Sequence, residues 1–178
     1  MTELSGRRVT ADAVVVNYNA GEALTGCVES LLSAGVDRVF VVDNCSTDGS
    51  LEALDESVSV ITTGSNRGYG SAANVGVAAA TSDLVLVCNP DLVVDVQAVG
   101  LLEASLRADT GLAVVAPRLL TPEGETYPSA RGFPRLVDAL GHAFVGLVKP
   151  DNPYTRRYKR LDTDPDLAGE VDWVSGAC

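Results

Sequence analysis

Long apolar runs are missing from this sequence: none approaches the ~18 residues that would span a bilayer. The first twelve residues are polar and carry no apolar leader core, so secretion is not expected either. Cysteine is scarce and scattered. Cys27, Cys45, Cys88 and Cys178 form no CxxC pair and have no histidine nearby, which argues against a zinc site or a disulfide framework and for reduced thiols in a cytoplasmic protein. Positive charge is also short, with 13 Lys and Arg against 24 Asp and Glu, a formal net charge of -11 and a pI near 4.4. Such a surface has little with which to displace the counterions of a polyanion, so general nucleic-acid binding is not expected. The single histidine, His142, lies within an expected helix and reads as packing or surface rather than catalysis.

What is present suits one compact α/β fold: 178 residues, 46% of them apolar. Short apolar runs at Ala13 to Val16, Val39 to Val42, Val58 to Thr62, Leu84 to Cys88 and Ala113 to Ala116 are expected as strands. Between them, Leu24, Cys27, Val28, Leu31 and Leu32 recur at helical spacing, with Gly35 placed as a C-cap. A short helix is expected near Leu51 to Leu54, an alanine-rich one through Ala80, and another from Val96 to Arg107. This alternation predicts a mostly parallel sheet with helices on both faces. Later the pattern loosens. Pro122-Glu123-Gly124 reads as a hairpin turn, Pro134 opens an expected helix to about Val145, Lys149 to Leu167 reads as polar and irregular, and Val171 to Val174 as a strand. The chain stops at Ser-Gly-Ala-Cys without a polar tail, and we expect a partial chain. Three parts are expected: a polar segment 1–12, a ligand-binding α/β subdomain 13–117, and an incomplete subdomain 118–178.

Polar clusters follow four of the strands: Asn17 to Asn19, Asp43 to Asp48, Asn66 to Gly70, and Asn89 to Asp91. Ligands of open α/β sheets bind beyond the carboxyl ends of the strands, so the four clusters can build one site. A dinucleotide site fails on the first loop, where Asn17 to Gly21 offers one glycine and GxGxxG needs three; a GxxxxGK[ST] loop is also absent. Diphosphate handling through a hard divalent cation remains, and Asp91 suits it, since Mg²⁺ or Mn²⁺ takes one or two carboxylates and fills its other positions with phosphate and water oxygens. An ordinary Asn-Pro-Asp turn reads equally well from these residues. Asp43 and its neighbours are also common helix caps, and Arg67 stands before a helix N-terminus, where phosphate binding is favoured.

The order Val-Val-Asn-Tyr-Asn (15 to 19), Val-Val-Asp-Asn-Cys-Ser-Thr-Asp-Gly-Ser (41 to 50), Asn-Arg-Gly-Tyr-Gly (66 to 70) with Asn74, and Asn-Pro-Asp (89 to 91) resembles family 2 glycosyltransferases of GT-A fold. Tyr-Pro-Ser-Ala-Arg (127 to 131), Asn-Pro-Tyr-Thr (152 to 155) and Val-Asp-Trp-Val-Ser-Gly-Ala-Cys (171 to 178) resemble a narrower group within it. Those enzymes add L-rhamnose from dTDP-rhamnose to N-acetylglucosaminyl-diphosphoryl-polyprenol in cell-wall linker synthesis. The resemblance implies Asn17 and Asn19 beside the base pocket, Asp43 on the pyrimidine, Asn66 and Arg67 near the nucleoside and diphosphate, Asn89 near the ribose, and Asp91 on a Mg or Mn ion. It places Arg131 and Trp173 on the acceptor or donor-sugar side. The family's DxD has Asn89 at its first position here, and its catalytic base is expected beyond Cys178, so this chain alone is expected to bind donor and turn over poorly. A truncated remnant that associates with another protein is the alternative.

Lys149, Arg156, Arg157, Lys159 and Arg160 fall in one twelve-residue stretch with Tyr154 and Tyr158. It reads either as a solvated loop balanced by Asp162, Asp164 and Asp166 or as a peripheral contact with anionic headgroups at the inner membrane face.

Overall fold

The computed structural model describes residues 11–133, 152–158, 164 and 167–175, and divides into two compact units, one ending at Val115 and one beginning at Ala116. In the first, the order is β1 (Ala11–Asn17), α1 (Ala23–Ser33), β2 (Arg38–Asp43), β3 (Val58–Thr62), α2 (Tyr69–Ala79), β4 (Leu84–Cys88) and α3 (Ala98–Ala108). The four strands pair in parallel in the order β3-β2-β1-β4.

The central position of β1 explains its run of apolar residues: all seven residues are buried. Successive side chains point to opposite faces. Ala13 and Val15 join Leu24, Cys27, Val28 and Leu31 of α1 in one core, while Val14 and Val16 join Ala72 and Ala73 of α2 in another. Each fully buried leucine, such as Leu24 or Leu31, contributes about 1.5–3 kcal/mol relative to an exposed one. On the second face small residues set the spacing. Gly76 of α2 lies so close to the sheet that a Cβ there would meet Val14 Cγ1 at 2.3 Å.

The end of α1 follows from its sequence. Gly35 adopts φ +88°, its N–H donates to the Leu32 carbonyl at 3.1 Å, and the Val36 N–H reaches back to Leu31 at 3.4 Å. This paired C-terminal motif is completed by Val36 and Leu31 lying in one core. At the amino ends of the strands, buried Asp12 accepts hydrogen bonds from Arg38 Nε (3.0 Å) and Nη2 (2.7 Å), Thr81 N (2.9 Å) and Ser82 N (3.1 Å). It thereby ties β1 to β2 and to the turn before β4.

Two expected elements of this unit do not form. Residues 51–54 make a turn rather than a helix, through i to i+3 bonds from Glu52 N to Gly49 O and Leu54 N to Leu51 O, after which Asp55 caps Ser57. Leu51 and Leu54 still pack on the core. Ala113 to Ala116 is not a strand: the four-stranded sheet ends at β4, and Val114 is 78% exposed.

The second unit contains the hairpin β5 (Leu119–Leu120) with β6 (Thr126–Tyr127), closed at Gly124 as expected, and a ribbon of β7 (Ala130–Arg131) with β8 (Trp173–Val174). Between them in sequence lies α4 (Pro153–Tyr158). Its presence corrects the reading of 149–167 as irregular throughout. Buried Asn152 accepts the N–H groups of Tyr154 and Thr155 on its Oδ1, each at 3.0 Å, and Pro153 follows at the first helical position, so Asn-Pro-Tyr-Thr is a helix start. The expected helix from Pro134 to Val145, with His142, lies outside the described residues, as do Lys149, Lys159 and Arg160. Arg156 and Arg157 fall on α4. No helix among the described residues is long and apolar enough to cross a membrane.

Candidate functional site

The loops leaving the carboxyl ends of the strands in the first unit surround a cleft of about 610 Å³, within the range of small-molecule sites. Val16, Tyr18 and Ala20 line it from the end of β1, Asn44 from β2, Asn66, Gly68 and Tyr69 from β3, and Asn89, Pro90 and Asp91 from β4. All four polar clusters thus contribute to one site.

Parallel β1 and β2 end in register, Asn17 opposite Asp43, and the loops beyond are lashed together. The Nδ2 of fully buried Asn17 lies 3.1 Å from Asp43 Oδ1, 3.0 Å from Ser46 Oγ and 2.8 Å from Ser50 Oγ. An amide carries two hydrogens, so these three acceptors share them. Both Asp43 oxygens also accept from Ser46 N. Asn19 accepts from Thr47 N at 2.8 Å, and its own N–H donates to Ser46 Oγ at 3.0 Å. Asp48 accepts from Gly21 N at 2.7 Å and Ser50 N at 3.0 Å. The hydrogen bonds from Ser50, with a weaker contribution from Gly21, hold the Asp48 carboxyl below its ordinary pKa against the opposing effect of desolvation.

Four sequence-predicted residues therefore stand outside the lining. Asn17, Asn19, Asp43 and Arg67 are not among the residues that face the cleft. Asn17 and Asp43 are buried, and their polar groups hold each other and the 46–50 loop. Asn19 shapes the arch that presents Tyr18 and Ala20. Arg67 is exposed, with its N–H donated to Asn44 Oδ1 at 2.9 Å. Asn66, Asn89 and Asp91 do line the cleft. Arg131 and Trp173 belong to the second unit, paired across its ribbon. Arg131 is buried there and donates to the carbonyls of Pro128 and Ala130, while Trp173 donates to Gly132 O at 3.2 Å.

Tyr18, Asn44 and Tyr69 join the lining without being among the residues expected there. Alternation along an extended segment is the signal for two of them: with Asn17 and Asp43 turned into the fold, Tyr18 and Asn44 turn the other way. Tyr69 opens α2, where the preceding Gly68 takes φ +78°.

The lining surface is largely apolar and almost uncharged: among the described residues its polar side chains are three carboxamides (Asn44, Asn66, Asn89), two phenols (Tyr18, Tyr69) and one carboxylate (Asp91), with no Lys or Arg. Tyr18 and Tyr69, 52% and 42% exposed, supply two aromatic rings. The first turn of α2 has no side-chain cap hydrogen bond and no acidic residue, and the positive end of a helix dipole attracts anions. No cluster of three metal-ligating side chains exists among the described residues. A cation here would be held by Asp91 and by oxygens of a ligand.

A parallel sheet covered by a helix on each face, with a cleft at its carboxyl edge, defines an α/β ligand-binding domain of the open-sheet class. Residues 12–166 match the profile described as glycosyl transferase family 2, and the chain belongs to that family. It is 34% identical over 183 residues, 93% of this chain, to the N-acetylglucosaminyl-diphospho-decaprenol L-rhamnosyltransferases of two strains of Mycobacterium tuberculosis, CDC 1551 and H37Rv. The chain spans 59% of the length of these relatives. It is 28% identical over 116 residues, 62% of this chain and 37% of the relative, to the low-salt glycan biosynthesis hexosyltransferase Agl10 of Haloferax volcanii. The structure of S. aureus TarS 1-349 superposes with a TM-score of 0.51 at 19% identity, covering 69% of this chain and 41% of that one, a likeness of fold. The sheet and helices are of GT-A type.

Proposed function

We propose that this chain binds the donor for an inverting hexosyl transfer, with L-rhamnose carried on dTDP and passed to an N-acetylglucosamine linked to a polyprenyl diphosphate. Residues 13–117 would hold the donor, and residues 118–178 would begin the acceptor side. Asp91 in the cleft at the carboxyl ends of four parallel strands is the observation that carries the reading. The 34% identity to rhamnosyltransferases along 93% of the chain supports the choice of sugar and acceptor.

The residues present fit a divalent cation of the hard type. Asp91 would be its protein ligand and diphosphate oxygens would complete the shell, while neutral Asn89 lowers the charge that the usual acidic pair would bring. When bound, such a cation neutralises the charge that grows on a departing nucleoside diphosphate. The capless start of α2 adds a second attraction for the phosphates. Tyr18 and Tyr69 offer flat apolar surfaces to a planar base, and the Asn66 Nδ2 group offers a donor for ring or ribose oxygens. Among the described residues Asp91 is the one carboxylate in the lining; given over to a cation, it leaves none of them to take the acceptor proton, and these residues are assigned the binding part of the reaction. Arg156 and Arg157 on α4, with the basic residues around them in sequence, are proposed as a peripheral contact with anionic headgroups.

Calorimetric titration with dTDP and Mn²⁺ tests the reading. Saturable binding is expected, with Asp91→Asn weakening it at least about tenfold (about 1.4 kcal/mol). A wild-type chain that does not saturate would refute it and favour a remnant that acts by associating with another protein.

A further inference from the structure

Asn44 lies between two walls of the cleft, only 3% exposed, yet it belongs to the lining. It follows β2, and its carboxamide reaches the turn after β3. Nδ2 donates to Asn66 Oδ1 at 3.0 Å, and Oδ1 accepts the Arg67 N–H at 2.9 Å. Thr63 Oγ1 is also 3.3 Å away, but that hydroxyl has one proton and closer acceptors in Ser65 O (2.8 Å) and Asp43 O (3.1 Å), so the Arg67 amide is the principal donor. Asn66 Oδ1 accepts a second bond, from Gly68 N at 2.9 Å. Both lone pairs of that oxygen are then occupied, which fixes the orientation of the Asn66 amide and leaves its Nδ2 as the group presented to a ligand.

Resting on the donor-binding reading above, we infer that Asn44 is a positioning residue, acting through Asn66 to set the wall of the cleft formed by residues 66–68. The chemistry calls for a carboxamide. An aspartate at 44 would keep the volume and still accept the Arg67 N–H, but would set a carboxylate oxygen against the Asn66 carbonyl oxygen. Turning the Asn66 amide over to relieve this repulsion would forfeit the bond from Gly68 N, so neither arrangement keeps the turn as it is.

The test is a double-mutant cycle of Asn44→Asp and Asn66→Ala, read by dTDP titration with Mn²⁺ and accompanied by amide exchange at Arg67 and Gly68 without nucleotide. Asn44→Asp is chosen because it preserves packing, and the exchange measurement reads the turn whether or not nucleotide binds. We expect each single variant to bind about tenfold more weakly, the double variant no more weakly than the worse single one, and faster exchange at both amides in Asn44→Asp. Combined with Asp91→Asn, the effect of Asn44→Asp should instead multiply, because Asp91 shares no hydrogen bond with it. Asn44→Asp binding within twofold of wild type, or losses at 44 and 66 that multiply, would overturn the inference. If wild type itself fails to saturate, the donor-binding reading falls, and unchanged exchange at Arg67 and Gly68 would overturn the coupling independently.

Discussion

Replacing Gly76 with alanine sets two known effects against each other at one atom. In an exposed helix interior the change is favourable by about 1 kcal/mol, because alanine loses less backbone entropy. In α2 the new Cβ would lie 2.3 Å from Val14 Cγ1, 2.8 Å from Val42 Cγ2 and 3.1 Å from Val14 Cγ2. Relaxed carbon contacts need about 3.5–4.0 Å, so the helix must lift from the sheet by roughly 1 Å. The valines cannot yield easily: both are fully buried, and a β-branched side chain has few alternatives at χ1. Overpacking of this kind costs about 1–3 kcal/mol. With the upper figure set against the gain in propensity, the net loss is about 2 kcal/mol. At about 2–4 °C per kcal/mol for a chain of this size, Tm should fall by about 4–8 °C. Gly100 is the internal control, since it also lies in a helix but a Cβ there meets nothing within 4 Å. Gly100→Ala should raise Tm by about 2–4 °C. Thermal unfolding followed by circular dichroism reads both. A Gly76→Ala variant as stable as wild type would refute the packing of α2 on β1 and β2, and with it the placement of the turn that α2 carries into the cleft.

Asp12→Ala removes four hydrogen bonds at the amino ends of the strands and strands the Thr81 and Ser82 amides; urea unfolding should show a loss of about 2–4 kcal/mol. Burial pushes the Asp12 carboxyl up, but the bonds from Thr81, Arg38 and Ser82 together outweigh it and hold the group below its ordinary pKa of 3.8. Its contribution is therefore complete above the unfolded pKa and is lost as pH falls through the lower folded one; the stability gap between wild type and Asp12→Ala should be constant near neutrality and shrink below about pH 4, and a gap that widens in acid would contradict this sign. Cys45 sits at φ +74°, a conformation that costs a non-glycine residue about 1–2 kcal/mol. After the added chain entropy of glycine, Cys45→Gly should stabilise by about 0.5–1 kcal/mol in the same urea measurement, provided the loop geometry is as described.

The parallel core was legible because β1 and β2 are central and buried on both faces, so they read as unbroken apolar runs, and because β3 and β4 carry apolar residues between clear turn signals. Gly35 was legible as a helix end since only a left-handed residue closes that motif cheaply. The helix expected at 51–54 was not, because cap and turn formers such as Asp43 to Gly49 lead into a tight turn as readily as into a helix, and here the backbone closes by i to i+3 bonds. Ala113 to Ala116 shows the same limit: an apolar run says nothing about whether a partner strand lies beside it. In the site, Asn66 and Asn89 came from the family resemblance and Asp91 also from the Asn-Pro-Asp turn after β4, and all three line the cleft because the loops leaving the strands gather at the sheet's carboxyl edge. Asn17 and Asp43 fall at the last strand position, where the side chain can turn in or out, and here both turn in to bond one another. That choice hands the lining to their neighbours, Tyr18 and Asn44, which single-residue reasoning could not anticipate.

The loops after β1, β2, β3 and β4 are proposed to form one nucleotide site around Asp91. Amide chemical-shift mapping of the chain on addition of dTDP and Mg²⁺ reads the occupancy of that site residue by residue. Saturable shifts are expected at Tyr18, Asn44, Asn66 to Tyr69, Asn89 and Asp91, and none at Asp12, Arg38, Thr81 and Ser82 at the opposite end of the sheet. Shifts confined to that opposite end, or absent altogether at saturating nucleotide, would contradict that proposal.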